Sequence, residues 1–545
     1  MIYNGYMSSL CELYTSIRKI IKPKDVVIFV SLSFAYFATR LTNILSLPIF
    51  SDEGIYIRWA RVATYDPAWR FISLTDGKQP LQTWGTIPFI KMFPNDLLFA
   101  GRLFSVATGF IALLGILALC GYLWGKRGAL IGAILYLVTP YFLFYDRIAL
   151  VDSGVNAAFI WILFFSLLLP KYRRLDLAII FGFVAGIGLL AKSSVALFLA
   201  LSTFGVLILV ESEHAKENLL FSFREIRSFI LKSKCKLVDY YGLFVVAFVI
   251  ALSLYLVQKL FSPFFHYIAE KNLTFIQSPT EWLTAPFSLV SSNLRFVTTY
   301  VAWESGWVPV VFGIAGFFMI LRKRPLLATY LGLWTIIPFL MIINFNKVIF
   351  PRYLIFFPTL LTIFSVAFIA SVKDKKLRLI SIVTSVLLLA SLSYPMLFNV
   401  TAISLPPVDR GQYIEGQTAV WGAQELMEII RKDTLQTGKR ATVLAEGNFG
   451  LIADVLEVMK KPDDKIDIEG YWPLNEEHIL AKQKDTKNNS VYIVFSHRRD
   501  FPVYWREIMD EIKIFEKPGD DQSAVYLYKL KTVDTQLLAP INMIQ

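Results

Sequence analysis

Two adjacent carboxylates, Asp52 and Glu53, stand in the stretch "FSDEGIYIRWA", directly after a long apolar run. Ser51 has the chemistry of an N-cap, and the acids fall in the first turn of a helix predicted to reach about Thr64. Ile55, Trp59 and Val62 recur at helical spacing, which predicts an amphipathic helix lying on lipid, with Arg58 and Arg61 near lipid phosphates. Acids at a helix N-terminus complement the macrodipole by about 0.3–1 kcal/mol each, and such a role, or support of a neighbour, suits Glu53. Asp52 is the candidate catalytic group, because ionisable residues at membrane depth tend to mark functional sites.

Other ionisable residues share that side of the chain. Lys78 lies in "DGKQPL" and Asp146, Arg147 and Asp152 in "YDRIALVD"; Lys192 ends the fifth apolar run, and Arg352 lies in "FPRYLIFFP". By predicted topology, carboxylates and cations from remote segments converge on one membrane face. That combination suits an anionic ligand with a base beside it.

The elements that must position these groups are membrane helices. The chain has 545 residues, 55% hydrophobic and only 18% charged, with mean hydropathy +0.54. Apolar runs near 26–49, 97–123, 128–145, 150–169, 176–191, 193–210, 240–261, 306–321, 326–344, 350–371 and 377–397 predict about eleven spans. The net charge of +12 is spread over short clusters between these runs, such as Lys126 with Arg127 and Arg322 to Arg324. That is positive-inside bias, with no single basic face for nucleic acid. It predicts a multi-pass protein of the plasma (inner) membrane, with a cytoplasmic N-terminus, a retained first span and an extracytoplasmic C-terminal domain. Cys11, Cys120 and Cys235 show no paired or metal-ligand spacing, so no disulfide is expected.

Residues 1–400 read as the membrane domain, its outer loop 50–96 carrying interfacial helices, and 401–545 as a small soluble α/β domain. Within the latter, about 410–532, "ATVLAE", "SVYIVFS" and "SAVYLYKL" read as strands, and 424–431 and 451–460 as helices. Tyr471 and Trp472 in "EGYWPL" could stack on sugar rings, although such aromatics are more often core. His478 and His497 read as surface residues.

These motifs, in this order and sidedness, resemble the GT-C type glycosyltransferases that use polyprenyl-phosphate sugars, above all family 39, the protein O-mannosyltransferase and aminoarabinose transferase group. The likeness rests on "SDEGIYIRWA", "DGKQPL", "DRIALVDSG", "GIGLLAKSS" and "PRYLIFFP" across roughly 25–397, and on "DRGQYIEGQTAVWG" and "GYWPL" beyond. It implies a GT-C fold and transfer of a sugar, with inversion, to a lipid, glycan or protein acceptor on the outer face. It implies Asp52 as general base, Asp152 as a supporting or acceptor-orienting acid, and Lys78, Arg147 and Arg352 near the donor phosphate. By position in the chain, Glu53 and Asp146 are added as supporting acids and Arg58 and Lys192 as further donor-phosphate groups. No cofactor is required by this chemistry. Some relatives carry a metal-binding acid directly before the loop lysine; here Gly77 stands there, leaving Asp76 and the weak candidate His266. A flippase would instead place its charges near the bilayer midplane in repeat-related helices. A glycan polymerase or ligase would put arginines in a large outer loop and need no attached α/β domain.

Overall fold

The computed structural model describes residues 22–213, 234–447, 450–496, 505–519 and 524–532. Cys11 and His497 lie outside them. Every predicted apolar run is helical. Along the membrane domain run α1 (Pro23–Leu41), α2 (Ser51–Tyr65), α3 (Leu81–Met92), α4 (Leu97–Val138), α5 (Pro140–Tyr145), α6 (Asp152–Tyr172) and α7 (Leu175–Leu189). They are followed by α8 (Val195–Ser212), α9 (Lys234–Phe261), α10 (Tyr267–Phe275), α11 (Pro279–Thr284), α12 (Val290–Ser305), α13 (Trp307–Lys323), α14 (Pro325–Phe345), α15 (Phe356–Ser371) and α16 (Lys375–Phe398). Among the described residues α4, α6, α8, α9, α14 and α16 are long and apolar enough to cross a membrane. The pair α12–α13, bent by 108° at a break, adds a seventh if taken as one span. The chain is a polytopic α-helical membrane protein.

Three departures from the predicted spans have local causes. The first helix ends at Leu41, not near 49, because Thr42 leaves the helical region (ψ 121°) and Asn43 is left-handed (φ 49°). The runs 97–123 and 128–145 join in α4, which folds back at Gly125 (φ 72°, ψ −172°), a conformation open to glycine. Gly132 then packs against Ile116 and Cys120 of the other arm. The second arm stops at Val138, one residue before the Thr139–Pro140 step that opens α5.

Small residues set the closest helix contacts, as expected where lipid removes the hydrophobic drive for association. A Cβ on Gly182 would sit 2.7 Å from the carbonyl oxygen of Ala247, and Gly186 faces Ala251 and Leu254. So α7 lies directly on α9.

The C-terminal domain is α/β. Its sheet has the order β4-β3-β5-β7-β6, formed by β3 (Ala441–Glu446), β4 (Ile466–Tyr471), β5 (Ser490–Phe495), β6 (Met509–Phe515) and β7 (Val525–Leu530). The pairs β3–β4 and β3–β5 are parallel, while β7 runs antiparallel to β5 and β6. Helices α17 (Pro407–Arg410), α18 (Ala423–Thr437), α19 (Ile452–Met459), α20 (Glu476–Gln483) and α21 (Trp505–Ile508) complete it. Trp472 is 63% exposed and is not core; Tyr471 packs on the ring of His478.

One expectation is overturned here. Helix α2 does not lie on lipid. Ile57 and Ala60 are buried in one apolar cluster with Val420, Leu426, Ile430, Val455 and Leu456 of the C-terminal domain. The two-residue strand β1 (Ile49–Phe50) pairs antiparallel with β2 (Ala419–Val420), and Ser51 N–H donates to Thr418 O at 2.9 Å. The loop that carries α2 therefore sits between bundle and sheet.

Candidate active site

Asp52, Tyr56 and Trp59 fall at i, i+4 and i+7 of α2 and share one face. Lys78 lies over that face, 4.9 Å from the Tyr56 ring centre and 5.6 Å from that of Trp59, with its Nζ 3.8 Å from Asp52 Oδ1. Arg352 comes from the short turn before α15 and places Nη2 3.2 Å from Asp52 Oδ2. Its other arm donates to Tyr413 OH at 3.0 Å and to Gln412 Oε1 at 3.1 Å, while the guanidinium rests on the rings of Phe50, Phe350 and Tyr353. Lys192 donates to Asp152 Oδ1 at 3.2 Å and lies 3.9 Å from the centre of the Tyr353 ring. Four predicted residues from distant segments, Asp52, Lys78, Lys192 and Arg352, thus share one site, with Asp152 at its edge.

A fifth group, Lys271 on α10, escaped sequence reasoning. It donates to Asp76 Oδ1 at 2.7 Å, and Asp76 Oδ2 lies 3.5 Å from Lys78. The signal was Gly77. Its φ of 64° is left-handed, and a Cβ there would run into the Tyr267 carbonyl and the Lys271 side chain. "DGK" is glycine-centred because α10 closes on it.

The electrostatics follow from this crowd. Burial pushes the Asp52 carboxyl up, but Lys78, Arg352, Lys271 and Lys192 together hold it below the ordinary aspartate range, so it is ionised. Four cations stand against three carboxylates, Asp52, Asp76 and Asp152. The excess of one positive charge matches a singly charged anion such as a phosphodiester.

Beside the cations a cavity of about 490 Å³ runs between α7, α8 and α9. Its polar end carries Ser193 and Asn272, chain neighbours of Lys192 and Lys271; its body is apolar, with Leu199, Phe244, Phe248 and Leu252. Ser193 Oγ accepts from Gln79 at 2.5 Å and from Asn272 at 3.3 Å. One end suits a charged head and the other a hydrocarbon tail.

The remaining predicted residues are engaged elsewhere. Glu53 turns about 100° from Asp52 and is fully buried; it accepts from Arg102 at 2.9 and 2.8 Å, from Ala149 N at 2.7 Å and from Phe50 N at 3.0 Å. Arg102 also donates to the carbonyls of Ile44, Leu47 and Pro48, so this pair fastens the chain leading into α2. Asp146 is fully buried against Arg40, Tyr36, Tyr136 and Ser153. Arg147 donates to the carbonyls of Met396, Thr42 and Asn43. Neither faces Asp52, and both hold helix ends together. Arg58 pairs with Asp454 and Arg61 with Glu457 of the C-terminal domain, not with lipid phosphates, since α19 covers that side of α2. His266 is exposed, stacks on Tyr267 and has its Nδ1 3.0 Å from Pro263 O. No group of three metal-ligating side chains occurs among the described residues.

The fold is a membrane-helix bundle of the GT-C type with a C-terminal α/β domain. The model of the dolichyl-phosphate-mannose-protein mannosyltransferase family matches residues 78–223. The structure of ArnT from Cupriavidus metallidurans in the apo state aligns over 93% of this chain and 98% of its own, at 13% identity and a TM-score of 0.54. The same protein bound to undecaprenyl phosphate aligns over 94% and 98%, at 14% identity and a TM-score of 0.51. The oligosaccharyltransferase of Archaeoglobus fulgidus in its apo form covers 86% of this chain and 69% of its own length, with 13% identity and a TM-score of 0.48. No curated protein sequence matches. At these identities the likeness is one of fold.

Proposed function

We propose that this protein is an inverting glycosyltransferase. It moves a sugar from a polyprenyl-phosphate donor to an acceptor hydroxyl at the outer face of the membrane. The observation that carries this reading is Asp52 held between Lys78 and Arg352, with Lys192 and Lys271 beside it, next to an apolar cavity. The phosphate binds the cations, the prenyl chain enters the cavity, and the sugar lies towards Asp52. The undecaprenyl phosphate in the ArnT structure and the lipid-linked donor in the matching family's description support the same donor class.

The acceptor oxygen attacks the anomeric carbon from the side opposite the phosphate. Its proton passes to Asp52, and the bond from that carbon to the phosphate oxygen breaks with its electron pair going to the phosphate. Polyprenyl phosphate leaves, and Asp52 returns the proton to solvent. A phosphate is already a good leaving group, so one base suffices and a single displacement inverts the centre. The fixed cations stabilise the charge that develops on the leaving phosphate, which is why a metal ion is not required.

Donor binding also tunes the base. In the free protein Arg352 and Lys78 pair with Asp52; a phosphate that engages them weakens their hold and raises the basicity of the carboxylate. Purified protein given labelled polyprenyl-phosphate sugars and membrane acceptors is expected to transfer the label, in chelator as well as without it. Asp52→Asn is expected to keep polyprenyl phosphate binding and lose transfer by about 10²–10⁴-fold. Equal transfer by the variant removes the base assignment. Movement of labelled lipid with no bond exchanged supports a flippase instead.

A further inference from the structure

A second carboxyl pair lies outside the chemistry above. Glu304 on α12 and Asp409 on α17 are 2% and 0% exposed and within hydrogen-bonding reach of each other. Tyr145 on α5 donates to Asp409 Oδ2. Tyr145 also lies within reach of Glu304, but its one hydroxyl proton goes to Asp409. Three oxygens, both of Glu304 and Oδ1 of Asp409, are therefore left without a donor of their own among the described residues. Two ionised carboxylates in that state would each carry a heavy desolvation cost and repel one another. A proton between them supplies the missing donor and removes the repulsion.

The location gives the pair a task. Asp409 opens the segment whose Gln412 and Tyr413 accept from Arg352 and whose Thr418 accepts from Ser51, the residue before Asp52. Tyr141, one helical turn before Tyr145, donates to Pro351 beside Arg352. Arg352, Tyr145, Glu304 and Asp152 are the leading groups acting on Asp409. Asp409 and Tyr145 act on Glu304. Tyr300, Tyr141 and Tyr413 lie near enough to the pair that each feels the charge on Asp409.

We infer that Glu304 and Asp409 share a proton and act as a positioning pair: the protonated pair clamps residues 407–420 onto the membrane domain and so holds Arg352 and the first turn of α2 in place. Neither residue touches the reacting atoms, and the clamp is independent of which reaction the site performs. Burial pushes Asp409 above the ordinary carboxylate range. The sign is that of a raised acid: the clamp is intact below the ordinary range and loosens as pH rises through the raised values.

Hydrogen exchange of the full-length protein in detergent, read at residues 407–420 against the intrinsic rate, tests this. Protection in that segment is expected to fall by up to about tenfold per pH unit per proton lost on the alkaline side. Glu304→Gln keeps the shape, supplies a permanent donor and is expected to flatten that pH dependence. Infrared difference spectra are expected to lose a protonated-carboxyl band in Glu304→Gln. An unchanged alkaline loss of protection in the variant, an unchanged carboxyl band, or a stoichiometric divalent cation recovered with the wild-type protein and lost from Glu304→Gln would overturn the proposal. If Glu304→Gln does not fold, Asp409→Asn and the wild-type pH series carry the same comparison.

Discussion

At the scale of single residues, one helical step separates two roles. Asp52 and Glu53 are neighbours, yet α2 turns the first towards four cations and the second into Arg102. Breaking the buried Glu53–Arg102 pair by Glu53→Ala is expected to cost about 3–5 kcal/mol, since it strands a charge. Thermal unfolding in detergent measures it. Asp52 predicts a pH profile. Its pKa is lowered, so the ionised form persists until pH falls through a value below the ordinary aspartate range. On the reading of Asp52 as base, kcat/KM should hold down to that acid limb, and kcat, measured with donor on the cations, should begin to fall at higher pH. Residue types alone pointed to Asp52, Lys78, Lys192 and Arg352. They could not separate these from Asp146 and Arg147, whose charges are the same but whose partners, Arg40 and three backbone carbonyls, are chosen by packing between remote helices.

At the scale of elements, the "DGK" turn and α10 form one unit. Gly77→Ala forces a side chain into the left-handed region and against Tyr267, which moves Lys78 off Tyr56 and Trp59. We expect a loss of about 1–2 kcal/mol locally and a raised Kd for polyprenyl phosphate, read by titration; unchanged affinity would detach Lys78 from the anion. Hydropathy located every apolar helix, because a run of apolar residues states its own length. The break at Gly125 was legible as the gap between two apolar runs, whereas the stop at Leu41 was not, because the residues that follow it are still largely apolar. Lys271 was invisible because nothing in "AEKNL" announces that α10 closes on a turn 190 residues earlier; only the positive φ of Gly77 records it.

At the scale of the whole molecule, bundle and sheet are one structure. The predicted strands and helices of the C-terminal domain appear where alternation and turns placed them, and its α/β class was readable. Its seat was not. Amphipathicity says that α2 has a face to bury, not whether lipid or Val455 covers it. Ending the chain at residue 400 is expected to expose Ile57 and Ala60 and leave Arg352 without Gln412 and Tyr413. Gel filtration should show aggregation, and polyprenyl phosphate binding should weaken; a monodisperse truncation with full affinity would refute the shared core.

The short β1–β2 ladder reaches further than its two residues suggest. The partner of the segment beside Asp52 is made some 370 positions later in synthesis. A ribosome that has delivered every membrane helix has still not delivered a finished pocket. Products that stop short of residues 412–420 therefore lack both the strand that pairs beside Asp52 and the side chains that hold Arg352.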